Sequence, residues 1–263
     1  MSVTNETKTY DLSKVHAVNL KLLKEVDRIC RKYKIKYALD AGTLLGAIRH
    51  GGFIPWDDDA DIVMTRSNYE KFLKVVRREL PEGMTFVEPN SYHNGKAFYD
   101  FVSRVMYDKS QKRVDSKQME FYDEKLTKLM HCIVYGLALG HRYEINYSDY
   151  QGIMKVFVGV LSNIGKLIPF KVTYKIWKWL CVKDAKTKTS LYFFSNYPPN
   201  YLHVEMKKED HDNVKTVPFE SEELYIPEGW EHYLVQVYGD YMKLPPVEKQ
   251  VPDHSDMEII IYE

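Results

Sequence analysis

Between Leu12 and Tyr33 the apolar residues Leu12, Val15, Leu22, Val26, Ile29 and Tyr33 recur at mostly helical spacing, with lysines and arginines on other positions. That period predicts an amphipathic helix. Ile35, Tyr37 and Leu39 then fall on every second position, the period of a half-buried strand. A turn at Gly42 leads into a short helix from Thr43 to His50. After the loop "GGFIPWDD" a second strand is predicted from Asp59 to Met64. Ser67 and Glu70 have capping-box spacing, and Tyr69, Phe72, Leu73 and Val76 continue a helix that Pro81 ends. The first part of the chain therefore reads helix, strand, short helix, strand, helix.

Further strands are predicted at Met84 to Val87 and Ala97 to Met106, separated by the turn-rich "EPNSYHNG". Glu120 to Leu139 reads as helix. Ile153 to Val182 is apolar with interspersed lysines and is interrupted at Pro169, which fits a helical pair. The remainder is rich in aromatics and proline ("NYPPNY", "VPFE", "YIPEGW", "YGDYMKLPP") and reads as an ordered tail wrapped on the body. The expected fold class is α+β: a mixed sheet flanked by helices, with a helical insertion and an ordered C-terminal tail. The expected divisions are a core over 1–110, a helical region over 111–190, and a C-terminal segment over 191–263 packed on the core.

Composition narrows the partners. Lys plus Arg and Asp plus Glu are both 37, a net charge of zero, so there is no electrostatic case for nucleic acid and any anionic ligand must be gripped locally. Cys30, Cys132 and Cys181 are far apart and lack metal or redox spacing; buried thiols in a reducing compartment are expected. The polar N-terminal stretch does not read as a signal peptide, and the apolar runs fall short of a membrane span. The expected location is the cytoplasm, with peripheral contact at the inner face of the membrane.

The chemistry concentrates in "GTLLGAIRHGGFIPWDDDADIVM", Gly42 to Met64. On a strand, Asp57, Asp59 and Asp61 project to one side while Asp58 and Ala60 point away. Like charges so close raise one another's pKa and destabilise the fold unless a cation neutralises them. A hard divalent ion, Mg2+ or Mn2+, held by carboxylates and substrate phosphates resolves that cost. The bland alternative is a solvated acidic turn, but this run leads straight into Ile62, Val63 and Met64. The Gly42 and Thr43 turn opens a helix whose free N–H groups suit a phosphate. Arg49 is expected either to clamp a phosphate or to pair with the aspartates. His50 is expected to be a loop hydrogen-bonder. Trp56 either stacks on a base or quaternary ammonium or wedges the loop in the core.

"DAGTLLGAIRHGGFIPWDDDADIVM" closely resembles the signature of the LicD family of phosphotransferases, which includes bacterial phosphocholine transferases and is related to the fukutin-type ribitol-phosphate transferases. "VPFESEELYIPEGWEHYLVQVYGDYMKLPP", Val217 to Pro246, is similar to that family's closing pattern. The resemblance implies a nucleotidyltransferase-like core. It implies transfer of a phosphorylated alcohol, phosphocholine first, from a CDP-linked donor to a glycan hydroxyl, lipid-linked in some settings, in cell-surface polysaccharide or teichoic acid synthesis. By position Gly42 and Thr43 become the donor-phosphate turn, with Arg49 and Trp56 as further substrate contacts. Asp59 and Asp61 become the catalytic metal ligands, and Asp57 a third acidic neighbour. One element of the pattern is missing: no "D-I-F" strand follows Phe101 to Arg104. Asp100, Asp108 or Asp115 is expected to supply that carboxylate; otherwise the chain is an impaired relative that binds glycan or nucleotide without turnover.

Two further segments carry competing expectations. In Ile153 to Val182 the apolar side is expected to pack on the core while Lys155, Lys166, Lys171, Lys175 and Lys178 solvate the outside; a cationic interfacial helix at a membrane is the other reading. In the tail, Gly239 and Asp240 read as a tight turn whose tyrosines pack, against a version in which Tyr238, Asp240 and Tyr241 line a ligand pocket.

Overall fold

The computed structural model describes residues 11–98, 100–108, 113–121, 125–142, 145, 150–183, 190–194, 196 and 204–252; along 92–93, 113–121 and 125–126 it describes the backbone alone. Helix α1 (Ser13–Tyr33) buries Val15, Leu22, Leu23, Val26, Ile29 and Cys30 and stops at Lys34, which adopts left-handed φ 54°. The Lys34 and Ile35 N–H groups bond back to Arg31 O and Cys30 O, closing the exposed carbonyl end of the helix.

A short strand β1 (Ala38–Leu39) pairs antiparallel with β2 (Ala60–Thr65), and α2 (Ala41–Arg49) joins them. Only two residues of the expected 35–39 strand enter the sheet. The helix expected from Ser67 is split into α3 (Arg66–Leu73) and α4 (Val76–Glu79). Strands β3 (Met84–Val87) and β4 (Ser103–Tyr107) pair antiparallel. The strand expected to begin at Ala97 starts six residues later. There the Val102 N–H bonds to the Asp100 carboxylate at 2.8 Å, a local turn that competes with extended pairing and sends Phe98 and Phe101 into a helical cluster.

Strand β5 (Arg113–Phe121) has no counterpart in the sequence reading, and the span expected to be helical opens with it. It lies parallel to β2 on one side and antiparallel to β4 on the other, and its end pairs with β6 (Leu191–Phe194), which pairs with β7 (Glu205–Lys207). The sheet order is β1-β2-β5-β4-β3, mixed as expected. Helices α5 (Lys125–Ala138), α6 (Gly152–Gly165) and α7 (Phe170–Lys183) follow β5. The tail folds as α8 (Lys208–Asp212), the hairpin β8 (Val214–Phe219) and β9 (Glu222–Pro227), and α9 (Trp230–Tyr238).

Two apolar clusters result. The larger joins α1, α2, β1 to β4, the hairpin and α9 around Leu22, Leu44, Ile62, Phe72, Leu224 and Leu234. The smaller joins α5, α6 and α7 around Phe101, Tyr135, Phe170 and Trp177, with Phe101 and Trp177 stacked at 4.5 Å. Arg66 bridges them: 1% exposed, its guanidinium lies 5.2 Å from the Tyr69 ring and 5.6 Å from Trp177 and pairs with Glu70. Cys30 and Cys181 are buried free thiols, as expected, whereas Cys132 is only half-buried; burial raises the Cys30 pKa.

Candidate active site

The site is built at the corner where β1 turns into α2 beside β2. Both backbone groups of Asp61 are used there. Its carbonyl accepts the Asp40 N–H at 3.1 Å, and its N–H donates to Thr43 Oγ1 at 2.8 Å. Ala41, between them, holds φ 45°, a left-handed conformation that costs a non-glycine residue stability and is often kept at functional turns. Thr43, expected as a phosphate contact, is 1% exposed; here it ties the turn to the acidic strand.

Helix α1 fixes the acidic loop from the other side. The His16 ring stacks on Phe53 at 4.7 Å and its Nε2 donates to Asp57 O at 2.8 Å. Asn19 Nδ2 donates to Asp58 O at 3.3 Å. The loop ends one residue later than expected, so β2 begins at Ala60 and only Asp61 of the acidic trio lies in the sheet ladder. Burial alternates only as far as Ala60: Asp58 and Ala60 are fully buried and Asp57 and Asp59 partly exposed, but Asp61 is buried with the rest of β2. The Asp57 carboxylate lies across the start of α2, so a Cβ on Gly42 would stand 2.4 Å from its Oδ2. Glycine is required there to admit the carboxylate to the helix terminus.

The register of the sheet separates the three candidates for the missing acid. Asp100 is taken by Arg104, and Asp108 accepts from Thr85 Oγ1 at 2.7 Å. Asp115, in contrast, is the pairing partner of Asp61 across the parallel β2 and β5 strands. No local motif marks Asp115, because its place depends on that pairing.

Beside this corner lies a cavity of about 520 Å³. Gly42, Arg49, Trp56 and Asp57 form one wall, and Tyr238, Asp240, Tyr241, Lys243 and Lys249 come from the tail. Thr43, Asp59 and Asp61 lie outside its wall, so Gly42 and Asp57 form the join between cavity and acidic strand. Lys243 and Lys249 carry no signal in the sequence, since isolated lysines in a proline-rich tail form no pattern. Tyr238, Asp240 and Tyr241 do line a cavity, against the preference for a packing turn.

Arg49 is held by the tail and its neighbour rather than by the aspartates. Its Nη1 donates to Tyr241 O at 2.9 Å and its Nε to His50 Nε2 at 3.0 Å, fastening the tail to α2. Burial lowers the Arg49 pKa, but a guanidinium remains charged at neutral pH. Burial, then the Arg49 charge, lowers the His50 pKa, and the ring Nε2 accepts the hydrogen bond from Arg49 Nε–H. Trp56 packs on the larger cluster and also walls the cavity, its ring 5.9 Å from the Arg49 guanidinium. Among the residues with described side chains no group of three or more His, Cys, Asp or Glu is disposed to hold a metal ion by itself.

Fold and corner together define a mixed α/β protein with an acidic strand mouth opening on an aromatic, lysine-bearing cavity. Residues 34–157 match the family described as LicD/FKTN/FKRP, nucleotidyltransferase domain. The chain is 29% identical to the lipopolysaccharide cholinephosphotransferase LicD of Haemophilus influenzae, over 97% of this chain and 100% of that protein. It is 47% identical to an uncharacterized protein of Rickettsia prowazekii, over 66% of this chain and 73% of the relative. The chain belongs to the LicD family.

Proposed function

We propose that the protein transfers phosphocholine from a CDP-linked donor to a glycan hydroxyl of a cell-surface polysaccharide such as lipopolysaccharide. The observation that carries this reading is the cavity itself, which joins the Gly42 and Asp57 corner to tail lysines and aromatic rings. Similarity along almost the whole chain to a cholinephosphotransferase supports the same chemistry.

In this reading the core is nucleotidyltransferase-like, and the donor diphosphate lies at the start of α2, where helix N–H groups and Lys243 and Lys249 offset its charge. Trp56, Tyr238 and Tyr241 offer ring faces to a quaternary ammonium. The acceptor oxygen attacks the phosphorus distal to cytidine. A new O–P bond forms, the bond to the cytidine phosphate breaks, and CMP departs with the electron pair. A carboxylate at the corner takes the acceptor proton, and Asp115, beside Asp61 in the sheet, is our assignment.

Asp59 and Asp61, with Asp57 beside them, would hold Mg2+ or Mn2+. An all-oxygen carboxylate set suits a hard cation, and the short protein donor set leaves room for phosphate oxygens. When bound, such an ion supplies neutralisation of charge on the transferred phosphoryl group.

The test is incubation of the purified protein with CDP-choline, Mg2+ and choline-free lipopolysaccharide. Choline incorporation with release of CMP is expected. Donor binding without CMP release, across lipopolysaccharide and teichoic acid acceptors, would overturn the transferase reading in favour of a non-catalytic binder.

A further inference from the structure

The α6 and α7 helices invert the burial expected of a soluble surface pair. On α6 the exposed row is Ile153, Val156, Val160 and Ile164, at spacings of three and four residues. On α7 it is Val172, Ile176 and Trp179. The rows meet at the corner between the helices, where Leu167 is 84% exposed. Helices of 14 residues each, bent by 119°, enclose this corner.

These rows are not the edge of an unfinished core, because the inner sides are already closed. Gly165 lies so near α5 that a Cβ there would stand 1.9 Å from Leu137 O, and one on Gly140 would stand 2.4 Å from Ser162 O. On α7 Phe170, Trp177 and Leu180 fill the smaller cluster. The hydrocarbon that remains outside forms a patch of the kind that marks an interaction surface.

Charge selects the partner. From 151 to 183 there is no Asp or Glu, while Lys155, Lys166, Lys171, Lys175, Lys178 and Lys183 give six positive charges, in a chain whose totals balance at 37 each. Lys166 and Lys171 flank the Leu167 corner and are exposed. An apolar row rimmed only by lysine matches an anionic lipid surface, where the hydrocarbon enters the headgroup boundary and the ammonium groups meet lipid phosphates.

We propose that the α6 and α7 pair is a membrane-docking surface that seats its Leu167 corner in the interfacial layer of an anionic bilayer. Among the described residues no single helix is long and apolar enough to cross a membrane, so the pair lies in the interface. The inference goes beyond the transfer reaction and stands or falls without it.

The test is flotation of the full chain with vesicles of phosphatidylcholine alone or mixed equally with phosphatidylglycerol. Co-flotation with the mixed vesicles at low salt is expected, with release by alkaline carbonate. Leu167→Glu should cut the bound fraction about tenfold with the melting temperature unchanged. A Lys166→Gln, Lys171→Gln double variant, which keeps the apolar rows, should weaken binding to the anionic vesicles at low salt. Failure to float overturns the proposal. So does retention in carbonate, which would mean an inserted broken span, and so does a dimer in free solution that Leu167→Glu dissociates, which would mean that a second copy covers the face.

Discussion

The acidic corner and the α6 and α7 pair depart from ordinary burial in opposite senses. At the corner, charge is drawn inward: Asp58 is fully buried, Asp61 is 7% exposed, and Asp57 is pressed against a glycine. On the helical pair, hydrocarbon is left outward, with Ile153 and Leu167 each 84% exposed. A folded chain tolerates either departure only where other contacts over-determine the local structure. At the corner those contacts are hydrogen bonds to the backbone of residues 57–61: the Asp40 N–H, the His16 ring and the Asn19 amide donate to its carbonyls, and Thr43 Oγ1 accepts the Asp61 N–H. On the pair they are the glycine-mediated approach to α5 and the aromatic cluster beneath α7.

The comparison can be broken most sharply at Asp61. Asp61→Asn should lower transfer on the order of 10³-fold, the loss of several kcal/mol of charge stabilisation. Its melting temperature without metal should be unchanged or higher, because one of several crowded carboxylates is neutralised. A fully active variant would remove the corner from the mechanism.

The next effect concerns His211, buried on α8 against the Tyr192 ring, with Asp40 of the corner among the charges that act on it. Burial lowers its pKa from 6.5 to about 4. The unfolded chain takes up the proton as pH falls through 6.5, whereas the folded ring resists until about 4. Stability is therefore complete above 6.5 and is lost on acidification between those values, by at most about 3 kcal/mol. Urea titrations of wild type and His211→Leu at pH 7.5 and 4.5 isolate this contribution, since other carboxylates titrate in both. Equal losses in the two proteins would exclude it.

On the helical side, inner and outer faces should separate cleanly. Gly165→Ala forces a methyl group into the Leu137 carbonyl and should cost about 1–3 kcal/mol, read as a melting temperature several degrees lower, whereas substitution at Leu167 should cost nothing measurable.

Gly42→Ala offers the complementary case at the corner. Alanine favours helix by about 1 kcal/mol, and the group in its way is a movable carboxylate rather than backbone. Stability should hold while transfer drops between about ten- and a hundredfold through displacement of Asp57. Equal losses of stability and activity would show that Gly42 serves packing alone.

The smallest effect is expected at the cavity rim. Tyr238→Phe or Tyr241→Phe keeps the ring, so donor affinity should weaken by no more than about three- to tenfold, the range of one hydrogen bond. Isothermal titration with CDP-choline reads it directly, and normal binding by both would make the tail a structural cover.

Much of the corner is legible in sequence because it is local. Strand, turn, helix and acidic mouth all lie between Ala38 and Thr65, and their periods change where the elements change. The pairing of Asp61 with Asp115 is not legible, because β5 has no clear alternation and its register is set by β2. The outward hydrocarbon of the helical pair is illegible for a different reason. Both sides of α6 are apolar or small, and the inner side is the smaller: Val158, Ser162 and Gly165 face α5 while Ile153, Val156 and Val160 face out. Periodicity locates a face but does not say that close backbone approach will take precedence over side-chain bulk. The cavity was half visible, since Gly42, Trp56 and Asp57 are in the motif but its other wall comes from residues 238–251.

The loop before the aspartates is braced from far along the chain. The hairpin turn between β8 and β9 reaches back to the loop that precedes the aspartates: Glu220 Oε1 accepts the Phe53 N–H at 2.9 Å, and the Glu220 N–H donates to Gly51 O at 2.9 Å. A ribosome that has released residues 1–120 has delivered the whole acidic motif and its sheet partner, yet the loop still lacks its brace. The brace spans more than 160 residues of chain, so it is a contact of high sequence separation and forms only once the hairpin has folded.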